Sequence, residues 1–174
     1  MDDNFWMQFA LREAGEAYRA GEVPVGAVVV LGNVIIGRGH NSVETLHDPT
    51  AHAEMLAITA AAETLKSWRL IEARLYVTLE PCHMCAGAAV LARLQKIVFG
   101  AWDPKAGACG SLAAVTQDER LNHQVEIVPE VMEAECGDLL KRFFKELREK
   151  RLAAAKGETS APSDRPGAGD QQQE

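Results

Sequence analysis

The sequence predicts an α/β fold: a three-layer α/β/α sandwich around a central five-stranded mixed sheet. Three observations carry the prediction. Helix-forming and β-rich segments alternate as α-β-β-α-β-α-β-β-α, an order that covers one sheet with helices on both faces. Two β-branched runs, Ala27–Leu31 and Val34–Ile36, are separated only by Gly32-Asn33, which signals a hairpin. Ahead of the last strand lies a long connection rich in Gly, Ala and polar residues, 104–124, which leaves room for a parallel crossover.

Phe5 to Ala20 has the spacing of an amphipathic helix, with Trp6, Phe9, Ala10, Ala14 and Ala17 near one stripe and Gly21 placed to cap its end. After the hairpin, Gly37 to Pro49 reads as loop and contains Asn41, His47 and Asp48. Thr50 is placed to N-cap a helix from Ala51 to about Thr64, so that His52 and Glu54 fall in its first turn. Arg74–Leu79 is a strand, Cys82–Leu94 a helix and Lys96–Gly100 a strand. A short helix is expected around Leu112–Thr116, and Val125–Val128 is the last strand. The final helix runs from Glu130 to about Ala155, with Met132, Cys136, Leu139, Leu140, Phe143 and Leu147 on its apolar face. Its acids come first and its bases last, as the helix dipole favours. Residues 1–155 thus form one domain, and 156–174, with Pro162, Pro166 and Gln171-Gln172-Gln173, is expected to be a disordered tail.

At 174 residues, 47% hydrophobic and 25% charged, the chain can bury a full core without staples. No apolar run approaches the roughly 18 residues of a membrane-spanning helix. The acidic start, Met1-Asp2-Asp3-Asn4, is unlike a secretory signal, so the expected compartment is a reducing cytoplasm. There Cys109 and Cys136 are expected as buried or half-buried free thiols. The net charge of −7 argues against a surface that coats nucleic acid, and about −3 of it lies in residues 157–174. Any nucleic-acid contact must therefore come from a local patch.

Chemistry concentrates at Pro81-Cys82-His83-Met84-Cys85, where a strand ends and a helix begins. The i, i+3 spacing puts both sulfurs on one face of the first turn, where free N–H groups and the helix dipole favour thiolate. Pro81 suits a first helical turn, because its missing N–H costs nothing there. A lone C-x-x-C has several readings. A redox pair would more often carry its proline inside or after the motif. A closed structural zinc site needs a fourth ligand, for which Cys109, Cys136 and His83 are unpaired candidates. The open, catalytic reading gains from His52-x-Glu54, thirty positions upstream of Cys82, a separation that fits one helix, one loop and one strand. Two thiolates and one imidazole suit zinc and leave a fourth position for water. Glu54 then stands beside that water as a proton shuttle rather than as a ligand. H-x-E followed by P-C-x-x-C is the signature of the zinc-dependent nucleobase deaminases, though it does not choose the base.

Longer stretches narrow the choice. Glu22-Val-Pro-Val-Gly-Ala-Val, His47-Asp-Pro-Thr-Ala-His-Ala-Glu54, Leu75-Tyr-Val-Thr-Leu-Glu-Pro-Cys-His-Met-Cys-Ala-Gly and Val98-Phe-Gly-Ala resemble the bacterial tRNA-specific adenosine deaminases, of the cytidine deaminase superfamily. Gly110-Ser-Leu112, Asn122-His123 and Phe143-Phe144 extend the match, which covers roughly residues 5–150. The resemblance implies a cytidine deaminase-like fold, one Zn2+ per subunit and a homodimer. It implies hydrolytic conversion of adenosine to inosine at the wobble position of a tRNA anticodon stem-loop. It further implies that His52, Cys82 and Cys85 hold zinc, that Glu54 shuttles protons, and that Glu80 and Pro81 shape the turn. The Ala53 amide and Asn41 would contact the target nucleoside, and Asp103 would lie beside the ribose of the preceding nucleotide, where a carboxylate can accept from a 2′-OH.

The chain departs from the family pattern at two places. Trp102 stands where an arginine or another polar residue is common, and would stack on a splayed base or cover the dimer seam. His83 occupies the interior of C-x-x-C, where an aliphatic is frequent, and is not expected to be a ligand. Lys141, Arg142, Lys145, Arg148, Lys150 and Arg151 supply the local basic patch, for phosphate contact. Phe143 and Phe144 cannot share one core stripe, so Phe144 is expected to meet a base flanking the target. Two other functions fit the same motifs: deamination of a free base or nucleoside on this scaffold, and RNA binding by a non-catalytic, structural-zinc module.

Overall fold

The computed structural model describes residues 1–158, in two units: 1–143, and the portion that follows from Phe144. The first unit opens with α1 (Asp3–Arg19), whose N-terminus is capped by the Asp2 carboxylate accepting from the Phe5 amide at 2.9 Å. Trp6, Met7, Ala10, Ala14 and Ala17 form its buried stripe. Strands β1 (Gly26–Leu31) and β2 (Val34–His40) follow, joined through Gly32 at φ 59°, and pair antiparallel. A four-residue turn of helix, α2 (Val43–Leu46), leads to α3 (Ala53–Leu65). Next come β3 (Arg74–Leu79), α4 (His83–Leu91), β4 (Lys96–Ala101), a 3-10 turn at Val115–Gln117 and β5 (Glu126–Val128). Helix α5 (Glu133–Glu158) begins in the first unit and continues into the second.

The sheet order is β2-β1-β3-β4-β5. β1 is antiparallel to both β2 and β3, whereas β3–β4 and β4–β5 are parallel, so the sheet is mixed, with five strands. The expected α/β fold is present, and the long connection across 104–124 does make a parallel crossover, from β4 to β5. Alternate residues face opposite layers. Ala27, Val29, Leu75, Val77, Ile97 and Phe99 pack with Ala57, Ala61, Ala86 and Ala89 of α3 and α4. Val28, Val30, Tyr76 and Val98 pack on the other face with Trp6, Met7 and Ala10 of α1 and with Cys136 of α5. Because β2, β3 and β4 point the same way, the segments that leave their carboxyl ends all emerge along one edge of the sheet. That edge is where an open α/β sheet offers a ligand site.

Several boundaries differ from expectation for identifiable reasons. β2 does not stop at Ile36 but runs to His40, and its glycines mark a packing contact rather than a loop. A Cβ on Gly37 would lie 2.2 Å from the Ala57 carbonyl oxygen, and one on Gly39 2.4 Å from that of Ala53. Helix α3 lies directly on the backbone of β2 there. α3 begins two residues later than expected, with His52 rather than Thr50 as N-cap. Thr50 is instead drawn into a turn, where its amide and hydroxyl both donate to Asp48 Oδ1. Cys82 is the N-cap of α4, so Pro81 precedes the helix instead of occupying its first turn, and α4 closes at Leu91 rather than Leu94. α5 starts at Glu133, not Glu130, because Glu130 and Met132 adopt left-handed backbone conformations, at φ 67° and 55°. It reaches Glu158, past the expected limit of about Ala155. Of the expected tail, 159–174 lies outside the described residues.

Candidate active site

Four segments converge at the sheet edge: the start of α3 after β2, the start of α4 after β3, the loop after β4, and the turn containing Asn41. His52 and Cys82 are both helix N-caps in extended backbone, with φ,ψ of −73°,151° and −72°,175°, and neither side chain makes the usual capping bond. Their side chains are thereby available to one another. His52 Nδ1 lies 3.6 Å from the Sγ atoms of both Cys82 and Cys85, the latter in the first turn of α4. The donor atoms of the three residues lie within 4.8 Å of one another, a group able to hold a metal ion. Cys109, Cys136 and His83 lie outside it; the two cysteines are buried free thiols, as expected, and His83 is exposed on α4. Burial pushes the Cys109 and Cys136 thiols up to about 12, which keeps them protonated.

Electrostatically the trio is polarised. Hydrogen bonding from Cys85, then from His52, holds the Cys82 thiol down at about 3, while Cys85, bonded to that sulfur and buried, is pushed far up. The bond to Cys82 raises His52, against the opposing effect of burial. Glu54, on the first turn of α3, is 4% exposed. Burial pushes its carboxyl up to about 7, with the Cys82 sulfur adding to the rise and His52 opposing it.

Around this centre, Asn41 is buried and donates through Nδ2 to Glu22 Oε2 at 3.2 Å. Glu22, 1% exposed, accepts from the Thr45 amide at 2.7 Å with its other oxygen. Sequence reasoning gave Glu22 no role, although it heads the Glu22-Val-Pro-Val-Gly-Ala-Val stretch of the family resemblance. Ala53 is fully buried at the first position of α3, where helix geometry leaves the N–H without an intrahelical partner. Pro81 is buried between Glu80 and Cys82. Asp103 is half-buried in the loop after β4, its Oδ1 accepting from the Lys105 and Ala106 amides. Trp102 donates from Nε1 to Glu130 at 2.9 Å and packs edge-on against Phe99 at 4.8 Å. Phe144 opens the second unit and is 41% exposed.

A model of the MafB19-like deaminase family matches residues 1–148. A tRNA-specific adenosine deaminase of Bacillus subtilis is 54% identical over 154 residues, which cover 88% of this chain and 96% of that protein. The chain belongs to the tRNA-specific adenosine deaminase family. A solved structure from a study of A-to-I editing by tRNA:A34 deaminases at the wobble position superposes with a TM-score of 0.76. It is 42% identical and matches 78% of this chain and 99% of its own. The guanine deaminase of Bacillus subtilis is 39% identical with a TM-score of 0.56, over 59% of this chain and 66% of that one. The deaminase fold thus carries the His/Cys/Cys group at the edge where four segments meet.

Proposed function

We propose that this protein hydrolyses the exocyclic amine of adenosine at the wobble position of a tRNA anticodon, giving inosine and ammonia. The observation that carries the chemistry is the gathering of His52, Cys82 and Cys85 beside the buried Glu54 at one edge of the sheet. The kinship at 54% identity supports the substrate. The metal is zinc. Tetrahedral zinc, with Zn–S near 2.3 Å and Zn–N near 2.05 Å, sets a sulfur and a nitrogen donor about 3.5 Å apart. His52 Nδ1 stands 3.6 Å from each sulfur and all three donors lie within 4.8 Å of one another, so His52, Cys82 and Cys85 would hold the ion. When bound, zinc supplies Lewis acidity that makes a water molecule acidic near neutral pH.

The protein's own groups do the rest. Glu54 accepts one proton from the attacking water and delivers it to the ring nitrogen, then takes the proton left on the incoming oxygen and delivers it to the departing amine, ending as it began. Its burial keeps competing solvent away from that transfer. Asn41, with Nδ2 engaged by Glu22, offers Oδ1 to the nucleoside, and the Ala53 amide offers a donor. Pro81 shapes the wall beside the base, and Asp103 reads the ribose of the preceding nucleotide. The protein works as a homodimer in the cytoplasm.

The test uses an anticodon stem-loop and free nucleosides side by side, with Glu54→Ala as the control. Wild-type protein is expected to form inosine in the stem-loop, and Glu54→Ala to keep about one zinc per chain while ammonia release falls by at least 100-fold. X-ray absorption should show one nitrogen and two sulfur ligands with a light oxygen. Turnover confined to free guanine would favour the second reading, which the guanine deaminase likeness supports. A four-sulfur shell would sink the catalytic site altogether.

A further inference from the structure

Glu80 is the residue immediately before Pro81 and Cys82, and it is 2% exposed. A carboxylate buried this deeply needs donors, and all of those found for it come from one loop. Oε2 accepts from the Asp103 amide at 3.0 Å and from the Ser111 hydroxyl; Oε1 accepts from the Cys109 and Ser111 amides, each at 3.0 Å. The approach is so close that a Cβ on Gly107 would lie 2.0 Å from Oε2. The backbone repeats the connection, with Gly107 bridged to Cys82 and the Ala108 amide donating to the Pro81 carbonyl at 2.8 Å. At the loop's entrance, Asp103 is turned by its own Oδ1, while Oδ2 has no partner among the described residues.

We infer that Glu80 is a positioning residue for substrate recognition: it ties the 103–111 loop to the segment that carries Cys82, and so fixes where Asp103 presents its free carboxylate oxygen to the RNA. This rests on the functional reading above. One buried side chain thereby sets the register between the place where the amine is hydrolysed and the place where the neighbouring nucleotide is read. The bonds that do so involve neither the trio's side chains nor Glu54, so the chemistry and the recognition are separable.

A double-mutant cycle tests this with the zinc-loaded, full-length protein and an anticodon stem-loop, with either ribose or 2′-deoxyribose at the nucleotide preceding the target. Glu80→Gln replaces an acceptor oxygen with a donor. It is expected to keep about one zinc per chain and a kcat within about threefold of wild type, to raise KM by tenfold or more, and to erase the KM difference between the two stem-loops. Asp103→Ala should do the same, and the double variant should be no worse than the worse single one. Gly107→Ala, which drives a methyl group against Oε2, should mimic Glu80→Gln. If Glu80→Gln fails to fold, Ser111→Ala takes its place in the cycle with a smaller shift in the same direction. Additive KM effects, or a loss of kcat in step with zinc, would overturn the proposal while leaving the deaminase reading intact. Absence of inosine from the wild-type protein would instead sink that reading, and this inference with it.

Discussion

Glu22 holds the Asn41 side chain with one oxygen and the Thr45 amide with the other, so a single buried acid orients the Asn41 amide and the turn that follows it. Burial pushes its carboxyl up, but donation from the Thr45 amide and side chain, the Glu44 amide and the nearby His40 outweigh this, and the net position is below the ordinary carboxylate value. A depressed carboxyl contributes stability that is complete above its unfolded pKa and is lost as the pH falls through the lower folded value. Glu22→Gln is therefore expected to cost about 2 kcal/mol near neutral pH. The gap to wild type should narrow in urea melts below about pH 4, where the wild type loses the same contribution. A gap that stays constant into acid would show that the charge on Glu22 is irrelevant. The metal-binding pattern at this scale was legible because it is local: ligand types, their i, i+3 spacing and an acid two positions from a histidine sit in short runs of sequence. The partners of Glu80 were not, since they lie 23 to 31 positions downstream in a stretch whose own composition reads as featureless loop.

Strand β3 was legible to both ends, because a continuous β-rich Leu-Tyr-Val-Thr-Leu run, buried on both faces, ends at an acid and a proline that cannot extend it. Strand β2 was not. Gly37 and Gly39 look like loop residues to any local reading, and only the backbone of α3, distant in sequence, explains why they sit in a strand. Gly39→Ala is expected to destabilise the protein by about 1–3 kcal/mol, as overpacking does. Since the clash is with Ala53 O at the first turn of α3, it should also lower kcat, with thermal melts and steady-state kinetics as the two measurements. Gly87, whose Cβ would meet nothing within 4 Å, is the control, and Gly87→Ala should leave both unchanged or slightly improved. Equal behaviour of the two variants would refute the contact argument. The starts of α3 and α4 were misplaced by two residues and by one for a related reason. His52 and Cys82 look like capping or first-turn residues by type, but here their side chains turn toward each other instead of to the backbone.

With a net charge of −7, the chain as a whole repels a polyanion, so the expectation that Lys145, Arg148, Lys150 and Arg151 along α5 contact phosphate calls for a direct test. Each phosphate contact to a single strand contributes roughly 0.7 to the slope of log affinity against log salt. Replacing Arg148 and Arg151 by alanine should flatten that slope by about 1.4 and raise KM at low salt, without changing zinc content. An unchanged slope would place the RNA contacts elsewhere. The order of the sheet also bears on how two chains can meet. β5, at one end, is three residues long; β2, at the other, carries the charged Arg38 and an irregularity at Ile36, which the pairs Val29↔Gly37 and Val30↔Ile35 leave out of register. Short, charged and irregular edges are poor templates for an incoming strand. Strand addition, whether by a second copy or in aggregation, is therefore disfavoured at both ends of this sheet, and at one of them by the strand that ends just before Asn41.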